Sequence, residues 1–289
     1  MQIENIPVLG GTAPRHALRT AHKLASFALR YVDSIRSRAE VRRYLDVGCG
    51  NGFITELIAP TFDEIVGIDV EHLRLEEFRL QAILKSNFKI LLMSADKVDF
   101  PNEFFSFITS FEVLEHVPSL GTAVQEMIRL CRPGGIIVVS TPQVWFPFEN
   151  HGARIGNRTY FFKIPLLPWI RPLHRKYSLA RVFSSAELDR LFLSQEMELL
   201  GTSYAAPQFE RAAARDGSWE SRLVFLRGVL DRCENIHVLR ALTGVSMLKA
   251  YRKRPSACGS DDRSTSHSCS PPISEPSRKM AGLLSVAWR

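Results

Sequence analysis

Short apolar runs alternate with stretches of helical spacing along most of the chain. Tyr44–Val47, Glu64–Asp69, Phe88–Asp96, Phe104–Phe111 and Ile136–Thr141 are nearly continuous apolar runs. That is the pattern of strands buried on both faces of a sheet. Between them, Phe53–Ala59, a segment from Glu71 onward and Leu120–Leu130 read as helices. Strand–helix alternation of this kind predicts a doubly wound α/β fold with a parallel sheet. Further on, Ser184 and Glu187 form a capping box opening a helix that ends near Leu193. Met197–Tyr204 is predicted as a strand, Trp219–Leu242 as a helix, and Val245–Tyr251 as a last, antiparallel strand. The whole is an α/β protein with a mostly parallel seven-stranded sheet.

At the front, Arg15–Glu40 is predicted as one helix, with Leu18, Leu24, Phe27, Leu29, Val32 and Ile35 forming its apolar stripe. Residues 143–180 break the alternation. They are rich in aromatics, prolines and bases, and follow the fifth strand, at the sheet edge where open α/β proteins bind ligands. We read them as an inserted roof over an acceptor site, against the plainer reading of a loop that only covers the core. From 253 the composition turns to Ser, Pro, Gly and charge. The expected organisation is an N-terminal arm and helix (1–40), a main domain (41–252) carrying the insertion, and a disordered tail (253–289).

Composition narrows the partners only modestly. With 289 residues and 45% hydrophobic content, the chain can bury a substantial core. The net charge of +7 and pI of about 9.3 leave nucleic acid, an anionic membrane surface or an acidic substrate open. Much of that excess lies in Arg171–Arg181 and after Arg252, which argues against an RNA track running along the strands. Five cysteines without a C-x-x-C pair indicate neither a disulfide framework nor a zinc knuckle. A cytoplasmic setting is expected, with peripheral membrane contact allowed and no membrane-spanning segment. Oligomeric state is not readable.

The chemistry starts at Leu45-Asp46-Val47-Gly48-Cys49-Gly50-Asn51-Gly52. A strand runs into a glycine turn and the turn opens a helix, so free N–H groups face a ligand. The spacing is G-x-G-x-G. A dinucleotide fingerprint would need its third glycine at Phe53, and a phosphate-binding P-loop needs a Lys after the loop. Asp69 ends the second strand, where an acid can accept from both ribose hydroxyls, and also reads as the cap of the helix that follows. Asp96 ends the third run, with Asp99 nearby to take the same part. Together with Glu112-Val113-Leu114-Glu115-His116-Val117 and Cys131-Arg132-Pro133-Gly134-Gly135-Ile136, these motifs resemble the class I S-adenosylmethionine-dependent methyltransferases. Within that family the likeness is to the quinone-biosynthesis subgroup. It is ordered from about Arg42 to Pro142 and weaker from Phe183 to Arg252.

The resemblance implies a Rossmann-like methyltransferase fold, S-adenosylmethionine as cofactor, and cofactor contacts from Asp46, Gly48, Gly50, Gly52, Asp69, Asp96 and Phe111. Methyl transfer from a sulfonium needs alignment, dryness and sometimes a base, so no universal catalytic residue is expected. His116 and His151 are the catalytic candidates, and no metal is assigned. Glu112, Glu115 and His116 would share one face if they lay on a helical turn. They then read as residues orienting a helix start, as a site with His116 as base, or as a metal set. The last has precedent in the ubiquinone and small-RNA 2′-O-methyltransferases, and the RNA enzymes need a further histidine. His151 and His174 are available for it without a matching position. The expected activity is methyl transfer to a small, partly apolar acceptor. A metal-dependent RNA 2′-O-methyltransferase and a non-catalytic S-adenosylmethionine-binding module are the alternatives.

Overall fold

The computed structural model describes residues 15–35, 41–149, 151–160, 164–193, 196–205 and 244–255. The elements run α1 (Arg15–Leu29), β1 (Arg43–Val47), α2 (Phe53–Ile58), β2 (Glu64–Asp69), α3 (His72–Ala82), β3 (Phe88–Leu92), β4 (Phe105–Phe111), α4 (Leu120–Leu130) and β5 (Cys131–Pro142). The insertion contributes a small hairpin, β6 (Ala153–Ile155) and β7 (Arg158–Tyr160), and α5 (Arg171–Tyr177). Then come α6 (Ser185–Leu193), β8 (Met197–Ala205) and β9 (Ser246–Lys253).

Seven strands form one sheet in the order β3-β2-β1-β4-β5-β9-β8. All pairs from β3 to β5 are parallel; β9 is antiparallel to β5 and β8. Strand order reverses between β1 and β4, which opens a crevice at their carboxyl ends. Side chains alternate across β1. Leu45 and Val47 face α4 and α6, among Val124, Met127, Leu188 and Phe192. Tyr44 faces the other way, with Leu24, Ala25, Phe27 and Ala28 of α1 and Ile58 of α2. The first helix therefore belongs to the core of the sheet.

Several expectations are met at the residue level. β2 and α4 have the expected bounds. In the capping box, Glu187 N–H donates to Ser184 Oγ at 3.2 Å, and Ser184 N–H donates to Glu187 Oε2 at 2.8 Å.

Others are corrected. The first helix stops at Leu29 and gives way to a 3-10 turn, Val32–Ser34. There Ser34 Oγ donates to the Tyr31 carbonyl at 2.7 Å, a local bond that competes with helix continuation. β3 ends at Leu92 rather than Asp96, and the chain turns through a bridge between Ser94 and Lys97. β5 begins at Cys131, five residues early, because a register shift at Phe105/Phe107 absorbs the Pro-Gly-Gly segment. Lys253 is the last residue of β9, not the first of the tail, and its buried ammonium donates to the carbonyls of Ile128 (3.1 Å) and Cys131 (3.0 Å). The helix expected over Trp219–Leu242 lies outside the described residues, as do 256–289.

Candidate active site

The loop after β1 stands at the crevice. Gly48, Gly50 and Gly52 all have positive φ (76°, 54° and 79°), the left-handed region that glycine enters without a steric penalty. Their duties differ. A Cβ on Gly48 would lie 2.2 Å from Val113 Cγ2, and one on Gly52 2.1 Å from the Phe78 ring. Those two glycines let the loop pack on its own core. A Cβ on Gly50 would meet only Arg74, at 3.8 Å, so Gly50 presents bare backbone to the open side.

The acids around the loop are held in distinct ways. Asp69 Oδ2 accepts from Gly50 N–H at 2.8 Å, and Oδ1 accepts from Glu71 N–H at 2.9 Å. It thus fixes the open glycine and the start of α3 together, and each oxygen keeps a further lone pair. Asp46 is buried under the loop. Its oxygens accept from Thr55 Oγ1 (2.5 Å) and Thr109 Oγ1 (2.7 Å), and Tyr44 OH shares the Thr109 hydroxyl. Burial, only partly offset by those hydroxyls, pushes the Asp46 carboxyl up to about 6. Asp96 is half-buried beyond β3 and accepts from Ser94 Oγ at 2.5 Å. Phe111 closes β4, its ring packed in the core with Ile58 and Phe107.

Across the crevice lies a second cluster. Glu112, Glu115 and His116 are not on a helix. They form a turn between β4 and α4, and α4 begins only at Leu120. Helical spacing therefore does not align them, and they do not cap a helix start. Glu112 itself has φ of 56°, uncommon for a residue with a side chain. Ser140 on β5 holds it there: Glu112 N–H donates to the Ser140 carbonyl (3.1 Å), and Ser140 Oγ donates to Glu112 Oε1 (2.8 Å).

The roof then delivers His151 onto this turn. His151 Nε2 lies 3.5 Å from both Glu112 Oε2 and Glu115 Oε1, and its ring centroid is 5.6 Å from that of His116. Ligand atoms of Glu115, His116 and His151 all lie within 4.8 Å of one another. Glu115 is 2% exposed, and among the described residues its oxygens make no close hydrogen bond, with His151 Nε2 standing off at 3.5 Å. The electrostatics follow from crowding. Burial, then the Glu112 charge, push the Glu115 carboxyl up to about 7. Burial opposes charge on His151, but Glu112 and Glu115 outweigh it and raise His151 to about 10. Burial and the neighbouring His151 cation push His116 down to about 4, so at neutral pH its imidazole is uncharged. Burial alone would raise Glu112, yet His151 and Ser140 hold it below the ordinary carboxylate range.

Sequence reasoning named His116 and His151 without a geometry joining them, and missed what fixes the cluster. Arg181 N–H donates to the Glu115 carbonyl at 3.1 Å, and the Arg181 guanidinium donates to the carbonyls of Val117 and Pro118. His174 is turned away, its Nε2 2.7 Å from Glu149 Oε2. The pairing of Glu149 with His151 two residues on was the available signal.

Comparison with known proteins agrees with the fold. A family model described as a methyltransferase domain matches residues 45–139. A ubiquinone biosynthesis O-methyltransferase of Aromatoleum aromaticum is 30% identical over 186 residues, covering 63% of this chain and 76% of the relative. The protein of the same name from Alkalilimnicola ehrlichii is 33% identical over 130 residues, covering 44% of this chain and 53% of that one. The chain spans about half the length of several such curated relatives. In fold it is similar to an S-adenosylmethionine-dependent methyltransferase from Mesorhizobium loti, with TM-score 0.52, 16% identity, and 77% and 96% of the two chains covered. It is likewise similar to a geranyl diphosphate methyltransferase solved with S-adenosylmethionine, with TM-score 0.54, 16% identity, and 85% and 94% covered.

Proposed function

The chain belongs to the class I S-adenosylmethionine-dependent methyltransferases, and we propose that it transfers the methyl group of that cofactor to an oxygen of a small, partly apolar acceptor. The observation that carries this reading is the pairing of two sites across one crevice. On one side stands the open Gly50 backbone, locked by Asp69. On the other, the His116 imidazole stands with His151 beside the buried Glu115 and the partly exposed Glu112.

The roles divide by chemistry. Gly50 and Asp69 hold the cofactor, with Gly48, Gly52 and Asp46 shaping the loop and Asp96 beyond β3 reaching the far end of the nucleoside. His116 accepts the acceptor's proton as its oxygen attacks the methyl carbon in line with the leaving sulfur. His151, with the roof, closes the site to water. Aromatic and basic residues of the roof, among them Trp145 and Trp169, suit a flat or lipophilic acceptor with an anionic group.

A second reading is favoured by the buried Glu115 carboxylate, which makes no close hydrogen bond among the described residues. Two carboxylates and two imidazoles are a donor set suited to a divalent cation, and buried oxygens without partners are what such an ion would satisfy. Glu112, Glu115, His116 and His151 would hold it. The ion would polarise the acceptor oxygen and favour its ionised form.

The test is calorimetry with S-adenosylhomocysteine, then methyl transfer to a panel of catechols and hydroxyquinones, with and without chelator and added Mg²⁺ or Zn²⁺. Turnover on a catechol supports the reading. Binding of short RNA that falls steeply with salt, together with methylation of a ribose hydroxyl, would replace it.

A further inference from the structure

We propose that Glu149 and His174 form a positioning pair that holds His151 in the active site. The proposal rests on the reading of His151 as part of a methyl-transfer site. Both members are deeply buried, at 1% and 3% exposure, although they lie in an inserted segment. Burying two ionisable groups is costly unless they are paired and directed, so a pair used merely for packing would be better made of apolar residues.

Here each oxygen of Glu149 has one task. Oε1 accepts from the backbone N–H of His151 at 2.9 Å, and Oε2 meets His174 Nε2 at 2.7 Å. The carboxylate therefore ties the residue that enters the site to α5, which carries His174. α5 is in turn tied down. Arg171 at its start donates to the Val182 carbonyl at 2.9 Å and to Glu187 Oε2 at 2.5 Å. Glu187 is the capping residue of α6, whose Leu188 and Phe192 sit in the main core. An unbroken series of directional contacts runs from the core through α6, α5, His174 and Glu149 to the His151 backbone.

The His151 ring meets Glu112 and Glu115 at 3.5 Å from Nε2. Glu149 adds a second hold from behind, through the main chain. Partners of this outer kind typically matter by about 10–100-fold in activity when removed.

The experiment uses the full chain in four variants: Glu149→Ala, Glu149→Gln, His174→Ala and His174→Gln. Each is examined for thermal melting, for affinity for S-adenosylhomocysteine by calorimetry, and for the His151 imidazole resonances by nitrogen–proton NMR. Those resonances are assigned with His151→Asn. Turnover is followed with whichever catechol the wild type methylates. The alanine variants are expected to shift or broaden the His151 signals and lower turnover about 10–100-fold, with cofactor affinity within about twofold of wild type. His174→Gln, which keeps a donor near the Nε2 position, and Glu149→Gln, which keeps an acceptor for His151 N–H, are expected to restore the signals.

Unchanged His151 signals in folded alanine variants would overturn the proposal. So would glutamine variants that lose cofactor affinity and melting temperature along with the signals, since that marks general unfolding. If the wild type methylates nothing in the panel, the functional reading fails separately, and the NMR arm still decides whether the pair positions His151.

Discussion

The glycine loop comes from one continuous stretch, Asp46 to Thr55, braced by Asp69 at the end of β2 and Thr109 on β4. The facing cluster is gathered from distant segments: Glu112–His116 between β4 and α4, Ser140 on β5, His151 in the roof and Arg181 before α6. The loop half is held by backbone conformation and short bonds of 2.5–2.9 Å. The cluster half has a positive φ at Glu112, a buried carboxylate at Glu115 without a close hydrogen bond among the described residues, and ion-pair distances of 3.5 Å. A cofactor shared across a family can be met by a fixed loop. Chemistry on a particular acceptor needs groups that are polar, dry and not already satisfied, and such groups must be imposed by surrounding structure.

The largest expected effect breaks the comparison along this line. His116→Ala should lower turnover by about 10²–10⁴-fold, the range for a positioned proton-transfer group, and leave S-adenosylhomocysteine affinity within about twofold. Parallel loss of both would show that the two halves are one binding unit.

Next in size is a contrast inside the loop. Gly52→Ala forces a Cβ into the Phe78 ring at a φ of 79°, so the core must shift or the turn must change. Overpacking plus left-handed strain predicts a loss of about 2–4 kcal/mol in stability. Gly50→Ala meets only Arg74 at 3.8 Å and should cost about 1 kcal/mol. It should instead lower cofactor affinity more than its stability loss explains. Melting curves beside calorimetry decide it; equal behaviour of the two variants would remove the distinction between a packing glycine and a ligand glycine.

Asp69→Ala should weaken S-adenosylhomocysteine by about 1.5–3 kcal/mol, the range for hydrogen bonds to a charged group. Asp69→Asn should recover part of that through the oxygen it keeps. Equal affinity in wild type and alanine variant, read by calorimetry, would take Asp69 out of the ribose contact and leave it as a brace for Gly50.

The same contrast explains what could be read from sequence. β2, α4, the capping box at Ser184 and the glycine turn are set by neighbours in the chain, through burial, helical spacing and local bonds. They carry their signal within ten residues or so. The end of β3 was overrun because Met93 and Ala95 are apolar like the strand, while the turn is made by a Ser94–Lys97 bridge and the Ser94–Asp96 bond. Glu112-x-x-Glu115-His116 has helical spacing, yet Ser140 on another strand holds Glu112 in a left-handed turn. Nothing near Glu112 in the sequence announces that. The Glu149–His174 bond spans the roof, and only folding of α5 brings its members together.

The smallest expected effect is a pH dependence from beneath the loop. Asp46 is buried, and its carboxyl stands at about 6 against an ordinary value of 3.8. A carboxyl raised on folding binds its proton more tightly in the folded state than in the unfolded one. Its contribution to stability is therefore fully present below about pH 4 and is lost as pH rises through about 6. A shift of this order corresponds to about 3 kcal/mol in all, spread over that window at no more than about 1.4 kcal/mol per pH unit. Asp46→Asn removes the titration and keeps an acceptor for one of the Thr55 and Thr109 hydroxyls. Relative to this variant, the wild type should lose stability between pH 4 and pH 6 and then run parallel above it, as read from denaturant midpoints at matched ionic strength. The opposite slope would mean that Thr55, Thr109 and Tyr44 stabilise the anion more than burial penalises it. Asp46 would then be a charge kept under the loop, close enough to act on a sulfonium cofactor through the field it adds to that half of the site.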